Sequence, residues 1–443
     1  MATKLSIVTL GCPKNQVDSE IMAGILAKGY ELTDKPEEAE IIVVNTCTFI
    51  DPAKEESIET LLQMARQKEE GVCQTLIAAG CMAERYGQEL MREVPELDGV
   101  IGTGGVAHIA EVVAKAQEEK VNTVGQVSLD FLYDENMPRI RSTPEYSAYV
   151  KVAEGCDNHC SYCVIPQVRG HFRSRPEESI LEEVRQMARE GVKEILLIAQ
   201  DTTRYGLDRY GELRLSRLIR ELTQVEGIEW IRLMYCYPEL MGDALIQTMV
   251  EEPKVCRYVD LPLQHASPRI LKDMNRRGTA EAAQHLIRKL RVAMPDIRIR
   301  TSMIVGFPGE TEAEFQELLD FIETVELDRL GVFVYSQEEN TPAAKRRDQV
   351  PEDIREARRD RAMALQQAVS ARRQKRWLGR ILTVLLEEAL PDGRWLGRSE
   401  GDAPEIDGQV YVEPGEMPMH PGDFVQVLIR DADSYDLIGE VVL

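Results

Sequence analysis

The stretch YVKVAEGCDNHCSYCVIPQVRG, residues 149–170, joins a short apolar segment to three closely spaced cysteines. Residues 148–152 predict a β-strand, and Cys156, Cys160 and Cys163 follow it in the pattern Cys-x-x-x-Cys-x-x-Cys. Thiolates are soft ligands that suit zinc or an iron–sulfur cluster. We call these three residues the barrel cysteines, and their spacing predicts a metal centre in the loop that follows this strand.

The strand before the barrel cysteines begins a series of six strand-and-helix units that continues towards the C-terminus. The predicted strands are residues 148–152, 194–199, 230–235, 258–263, 298–305 and 331–335. Helices fall between them, for example at residues 176–190 and 311–325. Six consecutive units indicate a partial (βα)6 barrel rather than a complete barrel of eight units. A long Arg-rich helix, residues 351–376, is predicted to follow.

The N-terminal block also alternates strands and helices. Its predicted strands are residues 5–10, 40–44 and 75–79, and its predicted helices lie at residues 16–28 and within 52–67. Such alternation indicates a parallel sheet covered by helices, so an α/β fold is expected. The turn-rich residues 130–144 predict a linker.

The C-terminal block has short, closely spaced strands separated by turns. They are predicted at residues 381–386, 409–412, 424–429 and 437–442. This pattern is typical of a small antiparallel β-barrel. The predicted domains are therefore residues 1–128, 142–376 and 377–443.

A second group of cysteines lies in the N-terminal block. Cys12, Cys47 and Cys81 each come just after a predicted strand, about one strand-and-helix unit apart. Because the carboxyl ends of parallel strands meet at one edge of a sheet, these N-terminal cysteines are expected to converge there. The alternative is three buried cysteines that act as small apolar side chains. That structural role is the one predicted for Cys73, Cys236 and Cys256, which lack partners at ligand spacing.

Together these motifs resemble a known family. The barrel cysteines, with Tyr162 before the last of them, resemble the radical S-adenosylmethionine superfamily. GCPKN at 11–15 with DSE at 18–20, NTC at 45–47 and GC at 80–81 resemble the N-terminal domain of the methylthiotransferases. The C-terminal block is similar to a TRAM domain, so the resemblance covers nearly the whole chain.

The resemblance implies the cofactors. Each set of three cysteines is expected to bind a 4Fe–4S cluster with one open iron, and the barrel cluster is expected to bind S-adenosylmethionine. That molecule would serve both as radical source and as methyl donor, with a sulfur donor and a reductant as further partners. No catalytic residue beyond the cluster ligands is predicted.

Four residues at the carboxyl ends of barrel strands are expected to contact S-adenosylmethionine or substrate. They are Gln200, Gln264, His265 and Gly306. Turn formation is an equally good interpretation of His265 and Gly306. Asn15, Asp18 and Asn45 match family positions too, but turn and helix-cap chemistry is the favoured interpretation of them.

Two alternatives to an enzyme remain open. A zinc-stabilised interaction protein would need a fourth ligand beside the barrel cysteines, for which His159 or His171 is available. An electron-transfer iron–sulfur protein would account for the cysteines but gives no reason for a barrel with an open cluster iron.

The composition and the N-terminal segment indicate the cellular compartment of the protein. The chain has 443 residues, a net charge of −23, no apolar run of eighteen residues and no basic segment followed by an apolar stretch at its start. We therefore expect a cytoplasmic protein that is neither secreted nor membrane-spanning. Nine cysteines in such a setting favour metal binding over disulfides.

Charge also bears on the substrate. Residues 377–443 contain four basic and fourteen acidic side chains, a balance that complements a basic protein and repels RNA. Reversal of charges such as Glu400, Asp402, Glu405 and Asp407 is expected to weaken docking of such a protein. Segments 53–57, 262–267 and 433–437 resemble the branch of the family that modifies an aspartate β-carbon in ribosomal protein twelve of the small subunit. A tRNA adenosine is the alternative substrate, because helix 351–376 carries eight basic and four acidic residues.

Overall fold

The structure is a computed structural model that describes residues 3–415 and 418–442. Its first domain is a six-stranded parallel sheet, in the order β2-β1-β3-β4-β5-β6, with helices packed on it. The strands are β1 Lys4–Thr9, β2 Glu31–Leu32, β3 Ile41–Thr46, β4 Thr75–Ala79, β5 Gly99–Ile101 and β6 Val121–Asn122. The helices are α1 Pro13–Leu26, α2 Asp51–Glu70, α3 Gly80–Glu93 and α4 Ile109–Ala116. Every residue of β3 and β4 is buried, as central parallel strands require.

The second domain, described throughout, is the expected partial barrel. Two parallel sheets, β11-β10-β7 and β12-β13-β14, meet through a parallel bridge between Ile231 and Val255. The strands are β7 Ser147–Lys151, β8 Ala153–Glu154, β9 Arg173–Ser174, β10 Glu194–Ile198, β11 Trp230–Leu233, β12 Tyr258–Asp260, β13 Arg298–Val305 and β14 Arg329–Val334. The helices are α5 Ile165–Arg169, α6 Glu177–Arg189, α7 Leu207–Tyr210, α8 Leu215–Leu222, α9 Asp243–Glu251, α10 Pro268–Asp273, α11 Ala280–Ala293, α12 Glu312–Val325 and α13 Glu352–Gln374. The six main strands follow chain order, which confirms the (βα)6 prediction.

The third domain is a closed five-stranded barrel in the order β15-β16-β17-β19-β18. Its strands are β15 Ile381–Ala389, β16 Trp395–Ser399, β17 Val410–Glu413, β18 Phe424–Ala432 and β19 Leu437–Val441. The predicted small barrel is confirmed, with four antiparallel strand pairs and one parallel pair, β17 with β19. The sequence pattern did not predict β16.

This small barrel covers the amino ends of the strands of the second domain. Arg398 forms an ion pair of 2.6 Å with Glu194, the first residue of β10. Asp402 forms one of 2.6 Å with Arg298, the first residue of β13. Because both contacts lie where strands begin, the carboxyl ends of the strands stay available for a site.

The predicted linker is an ordered connection between the first two domains. Arg139 pairs with Glu20 of α1 at 2.6 Å and with Glu183 of α6 at 2.8 Å. The boundaries at residues 128, 142 and 376 stay a prediction. No helix within the described residues is long and apolar enough to cross a membrane.

Candidate active site

The barrel cysteines lie in the loop between β8 and α5. The backbone N–H of Cys163 donates to the carbonyl of Cys160 at 3.0 Å, which closes a tight turn. The backbone N–H groups of Asn158 and Ile165 each approach a cysteine sulfur, those of Cys156 and Cys163, at 3.5 Å. N–H groups aimed at sulfur stabilise a thiolate, so the loop is arranged to present charged ligands.

A second segment, at the end of α10, fixes this loop against the barrel. Ser161 donates from its backbone N–H to the carbonyl of Met274 at 3.0 Å and from its hydroxyl to the carbonyl of Asp273 at 2.7 Å. The side chain of Asn275 donates to the carbonyl of His159 at 2.8 Å. The loop is therefore held by neighbouring backbone as well as by its own turns.

The N-terminal cysteines converge as the strand-end argument predicts. Cys12 precedes α1, Cys47 directly follows β3, and Cys81 lies in the first turn of α3. Gly11 has a φ of +87°, and a Cβ at this position would lie 2.7 Å from the Cβ of Cys47. Only glycine allows the loop that carries Cys12 to approach Cys47 this closely.

The N-terminal cysteines suit a polynuclear cluster. Burial, together with the neighbouring charges of Cys12 and Cys81, raises the pKa of the Cys47 thiol to about 12. Thiols that repel one another in this way become stable thiolates when a cation such as iron binds them. Yet the described chain has no group of three or more His, Cys, Asp or Glu side chains placed to share one metal ion. A cubane binds each cysteine at a separate iron, so its ligands need not lie as close together as those of a single ion.

The zinc alternative lacks its fourth ligand. His171 is 87% exposed, and its ring nitrogen lies 3.2 Å from Asp157 rather than beside the cysteines. His159 is exposed as well. Since a structural zinc site is four-coordinate, the barrel cysteines alone do not complete one.

One short segment after β11 contacts a barrel cysteine and the motif that carries Cys12. The hydroxyl of Tyr237 lies 3.8 Å from the sulfur of Cys160. The ammonium of Lys14, two residues after Cys12, lies 2.9 Å from the ring centroid of Tyr235. Burial lowers the pKa of Lys14 to about 8, while the neighbouring charge of Cys12 opposes that shift. Both sets therefore lie at the carboxyl-end mouth of the barrel.

A buried charge network connects the two domains beside this mouth. Arg169 of α5 donates to Asn15 at 2.5 Å and pairs with Asp18 at 3.0 Å. Lys151 of β7 pairs with Asp18 at 2.5 Å and with Glu154 at 2.6 Å. Although burial opposes it, the charges of Arg169 and Lys151 lower the pKa of Glu154. The glutamate is thus kept ionised among its cationic partners.

Comparisons with known proteins decide the family. A curated relative named ribosomal protein uS12 methylthiotransferase RimO, from Desulfitobacterium hafniense (strain Y51), is 63% identical over 99% of this chain and 98% of its own. Proteins of the same name from Pelotomaculum thermopropionicum and Geobacter sulfurreducens are 52% and 50% identical; the first match covers 100% of both chains, the second 99% of this chain and 98% of its own. This chain belongs to the uS12 methylthiotransferase family. Residues 4–102 match Uncharacterized protein family UPF0004, residues 150–322 the Radical SAM superfamily and residues 378–442 the TRAM domain.

Solved structures agree on the fold. A radical S-adenosylmethionine methyltransferase, TsrM from Kitasatospora setae, has a TM-score of 0.57 at 14% identity, over 83% of this chain and 89% of its own. As a radical S-adenosylmethionine methylthiotransferase, the chain uses S-adenosylmethionine and 4Fe–4S clusters as cofactors. The resemblance stated from the motifs is thereby confirmed.

Two of the four residues predicted to contact a ligand in this methylthiotransferase lie at the mouth. Gln200 donates from Nε2 to Glu154 at 2.8 Å, while its Oε1 is buried without a partner among the described residues. Gln264 has a φ of +74° and accepts a bond of 2.7 Å at its backbone carbonyl from the N–H of Ile304. Contact of either side chain with S-adenosylmethionine or substrate remains a prediction.

The other two predicted residues have packing partners of their own. The Nδ1 of His265 accepts from the backbone N–H of Ser267 at 2.9 Å, and its Nε2 lies 3.4 Å from Glu310. Gly306 has a φ of +72°, and a Cβ there would collide with the side chain of Arg355. The structure accounts for both residues without a ligand, so their contact with one also remains a prediction.

The asparagines of the motifs act as scaffold. The Nδ2 of Asn15 donates to the carbonyls of Leu10 and Thr46, at 3.0 and 2.8 Å. The Nδ2 of Asn45 donates to the carbonyl of Asn15 at 2.8 Å. This is the favoured turn chemistry, with the addition that Asn15 also accepts from Arg169.

Sequence reasoning missed the charged residues at the mouth. Lys151 and Glu154 stand in or just after a strand predicted to be buried, and charge in such a place is itself a signal of a paired site. For Arg169 the sequence offers no comparable signal, because its partners Asn15 and Asp18 belong to another domain.

The docking role expected for one acidic stretch is corrected by the structure. Asp402 is buried between Arg298 and Arg329, at 2.6 Å from each. Asp407 accepts from the hydroxyl of Tyr258 at 2.7 Å, and Glu400 accepts from a backbone N–H of the second domain. These three carboxylates join the domains and are not free to bind a basic partner. Of the four acids named, only Glu405 is exposed.

Proposed function

We propose that this chain installs a methylthio group on the β-carbon of an aspartate in ribosomal protein uS12, with S-adenosylmethionine as radical source and methyl donor. The observation that carries the proposal is the segment Tyr235–Tyr237, which contacts one residue of each cysteine motif at a single mouth. A reaction that generates a substrate radical and then delivers sulfur to it needs both centres beside one carbon atom. The names of the relatives support uS12 as the protein that carries this carbon.

Each set of cysteines has a separate task in this proposal. The barrel cysteines hold the cluster that orients S-adenosylmethionine, and the N-terminal cysteines hold the cluster from which sulfur is delivered. When bound, these cofactors supply the hydrogen abstraction and the sulfur, which no side chain can supply.

The residues of the chain position and shield this chemistry. The guanidinium of Arg276 stacks on the ring of Tyr237, 3.9 Å from its centroid, and donates to the carbonyl of Pro262 at 2.6 Å. Both side chains are largely buried beside Cys160, so they exclude water from one wall of the mouth. Asp201 is fully buried and accepts from Asn158 of the cysteine loop at 2.9 Å, which holds the loop on the opposite side.

The partners follow from the same proposal. A basic ribosomal protein would be attracted by the acids that stay exposed on the small barrel, namely Glu388, Glu413, Asp431 and Asp433. A sulfur donor and a reductant are further partners, and the cytoplasm, where ribosomal proteins are made, is the proposed location. The domain boundaries 1–128, 142–376 and 377–443 belong to the proposal as well.

One experiment tests the substrate. The chain, reconstituted anaerobically with iron and sulfide, is incubated with S-adenosylmethionine, a reductant and either uS12 or tRNA. Mass spectrometry should find a methylthio group on one aspartate of uS12 and none on tRNA. The Cys156→Ala variant serves as the inactive control. Modification of tRNA adenosine with no change in uS12 would refute the proposal.

A further inference from the structure

Lys14 is a buried cation at the mouth, and the described group whose charge most favours its ammonium is the thiolate of Cys12. Its residue is 6% exposed, and no carboxylate within residues 3–415 and 418–442 lies at ion-pair distance from its ammonium. Its contact is instead the face of Tyr235, at 2.9 Å. A ring face compensates only part of the cost of removing an ammonium from water, so a bound anion would stabilise Lys14 further.

The neighbouring cations differ from Lys14 in this respect. Lys151 pairs with two carboxylates, Asp18 and Glu154, at 2.5 and 2.6 Å. Arg169 pairs with the same two carboxylates, at 3.0 and 3.1 Å. Among the described residues, carboxylates pair with the cations that join the domains, and none lies at ion-pair distance from Lys14.

The acids whose charges reach Lys14 already have partners. Asp260 pairs with Arg300 at 2.8 Å, and its other oxygen accepts from the backbone N–H of Tyr235 at 3.1 Å. Glu154 is bound to Lys151 and Arg169. Asp260 thus holds the backbone of Tyr235, which has a φ of +57°, and so fixes the ring on which Lys14 rests.

The location of Lys14 indicates which anion it binds. Its ammonium lies over Tyr235, while Tyr237 of the same segment contacts Cys160. A substrate side chain that reaches the radical must enter between these points. We propose that Lys14 binds the carboxylate of the substrate aspartate and thereby sets the specificity of the site for an acidic side chain.

This inference rests on the proposed function and extends it. A charged hydrogen bond to the carboxylate would leave the adjacent β-carbon directed towards the barrel cysteines. An asparagine of the same shape lacks the charge, and a nucleobase lacks it too, so both would leave the buried ammonium unpaired. The competing explanation is that Lys14 balances the charge of the thiolate of Cys12 and does not touch substrate.

The test measures binding without turnover. The reconstituted protein, with S-adenosylmethionine and no reductant, is titrated with uS12 and with uS12 in which the modified aspartate is asparagine. The parent chain should prefer the aspartate form about tenfold, about 1.4 kcal/mol, and Lys14→Met should reduce that preference to about twofold or less. Lys14→Arg should restore most of it. Lys28→Met, an exposed lysine just after the same helix, is the matched control and should behave as the parent.

Iron content and the absorption spectrum separate the explanations. If the Lys14→Met variant loses iron, Lys14→Gln provides a second neutral variant in which the preference for aspartate over asparagine can be measured. Suppose that a neutral variant has an altered spectrum but keeps the parent's preference for aspartate. Lys14 would then act on the cluster held by Cys12 and not on substrate, and the inference would be overturned. In that case the proposed function stands as long as the parent modifies uS12. A parent chain that modifies tRNA and leaves uS12 unchanged would overturn both.

Discussion

Arg169 of α5 and Asp18 of α1 form a buried ion pair, with 3.0 Å between Nη2 and Oδ2. The two side chains are 2% and 6% exposed and belong to different domains. Arg169 lies six residues after Cys163, and Asp18 lies six residues after Cys12. Each set of cysteines is therefore connected to this ion pair by one short stretch of chain. The ion pair helps to fix the position of the two sets relative to each other.

Removal of this contact should weaken the domain interface. Arg169→Met leaves Asp18 and Glu154 with Lys151 as their remaining cation, so we expect the free energy of unfolding to fall by about 3 kcal/mol. Urea unfolding followed by tryptophan fluorescence measures the change. Arg189→Met, at a side chain that is 65% exposed, should change it by about 0.5 kcal/mol or less. Equal effects of the two variants would contradict the role assigned to the pair.

Iron content should follow the two sets of cysteines. Two 4Fe–4S clusters correspond to about eight irons per chain after anaerobic reconstitution. Cys73, Cys236 and Cys256 are buried outside both sets, so changing any of them to Ser should leave that number intact. Iron analysis of the purified variants checks this. Loss of about four irons from one of them would show that the ligand assignment is wrong.

The two clusters should be separable by function. Cys156→Ala should abolish formation of 5′-deoxyadenosine, because the barrel cluster is the one proposed to bind S-adenosylmethionine for cleavage. Cys12→Ala should keep that cleavage at least in part while methylthio product disappears. Chromatography of the nucleoside and mass spectrometry of uS12 measure the two outcomes. Methylthio product from the Cys12 variant would rule out sulfur delivery by the first domain.

Acid should weaken the contact between the second and third domains. Although burial opposes it, Arg398 and Arg232 lower the pKa of Glu194 to about 2, whereas an unfolded glutamate has a pKa of about 4.3. Because the pKa is lower in the folded state, ionised Glu194 stabilises the fold. Its contribution is complete above about pH 4.3 and is lost as the pH falls towards 2. Glu194→Gln should therefore lower the free energy of unfolding by about 3 kcal/mol at pH 7 and by about half as much at pH 3.

Urea unfolding at both pH values tests this dependence. Glu178→Gln, on the exposed face of α6, is the control and should change the unfolding free energy by about 0.5 kcal/mol or less at either pH. A Glu194 effect of the same size at pH 3 and pH 7 would contradict the role of its ionised form.

Docking of uS12 should depend on the acids that remain exposed on the small barrel. Reversal of Glu388, Glu413, Asp431 and Asp433 to Lys should raise the apparent KM for uS12, and the difference from the parent should shrink at high ionic strength. Cleavage of S-adenosylmethionine without uS12 should stay nearly unchanged, because the clusters lie in other domains. An unchanged KM for uS12 at low salt would show that these acids of the small barrel do not contribute to substrate docking.

The sequence by itself predicted the order of the three domains and two sets of candidate metal ligands. Apolar runs predicted β4 at the residues where the structure has it and β10 within about one residue, because buried parallel strands need such runs. The bounds of β13 were also predicted, although its first half mixes polar and apolar residues. The barrel cysteines were recognisable because their ligand spacing is local in sequence. Cys12, Cys47 and Cys81 were recognisable because the end of a parallel strand fixes where the next residue lies. Strands of two or three residues, such as β2 and β5, were missed since so short a run has no period.

Only the tertiary structure decided what the charges do. Asp402 and Asp407 looked like a docking surface in the sequence, yet they are buried against Arg298 and Tyr258 of the second domain. Lys14 is one residue of a cysteine motif in the sequence, but in the fold it lies on the ring of Tyr235, with no described carboxylate at ion-pair distance. Composition counts charges, but whether a charge is solvated, paired or left for a ligand depends on which distant residues the fold brings within a few ångströms of it.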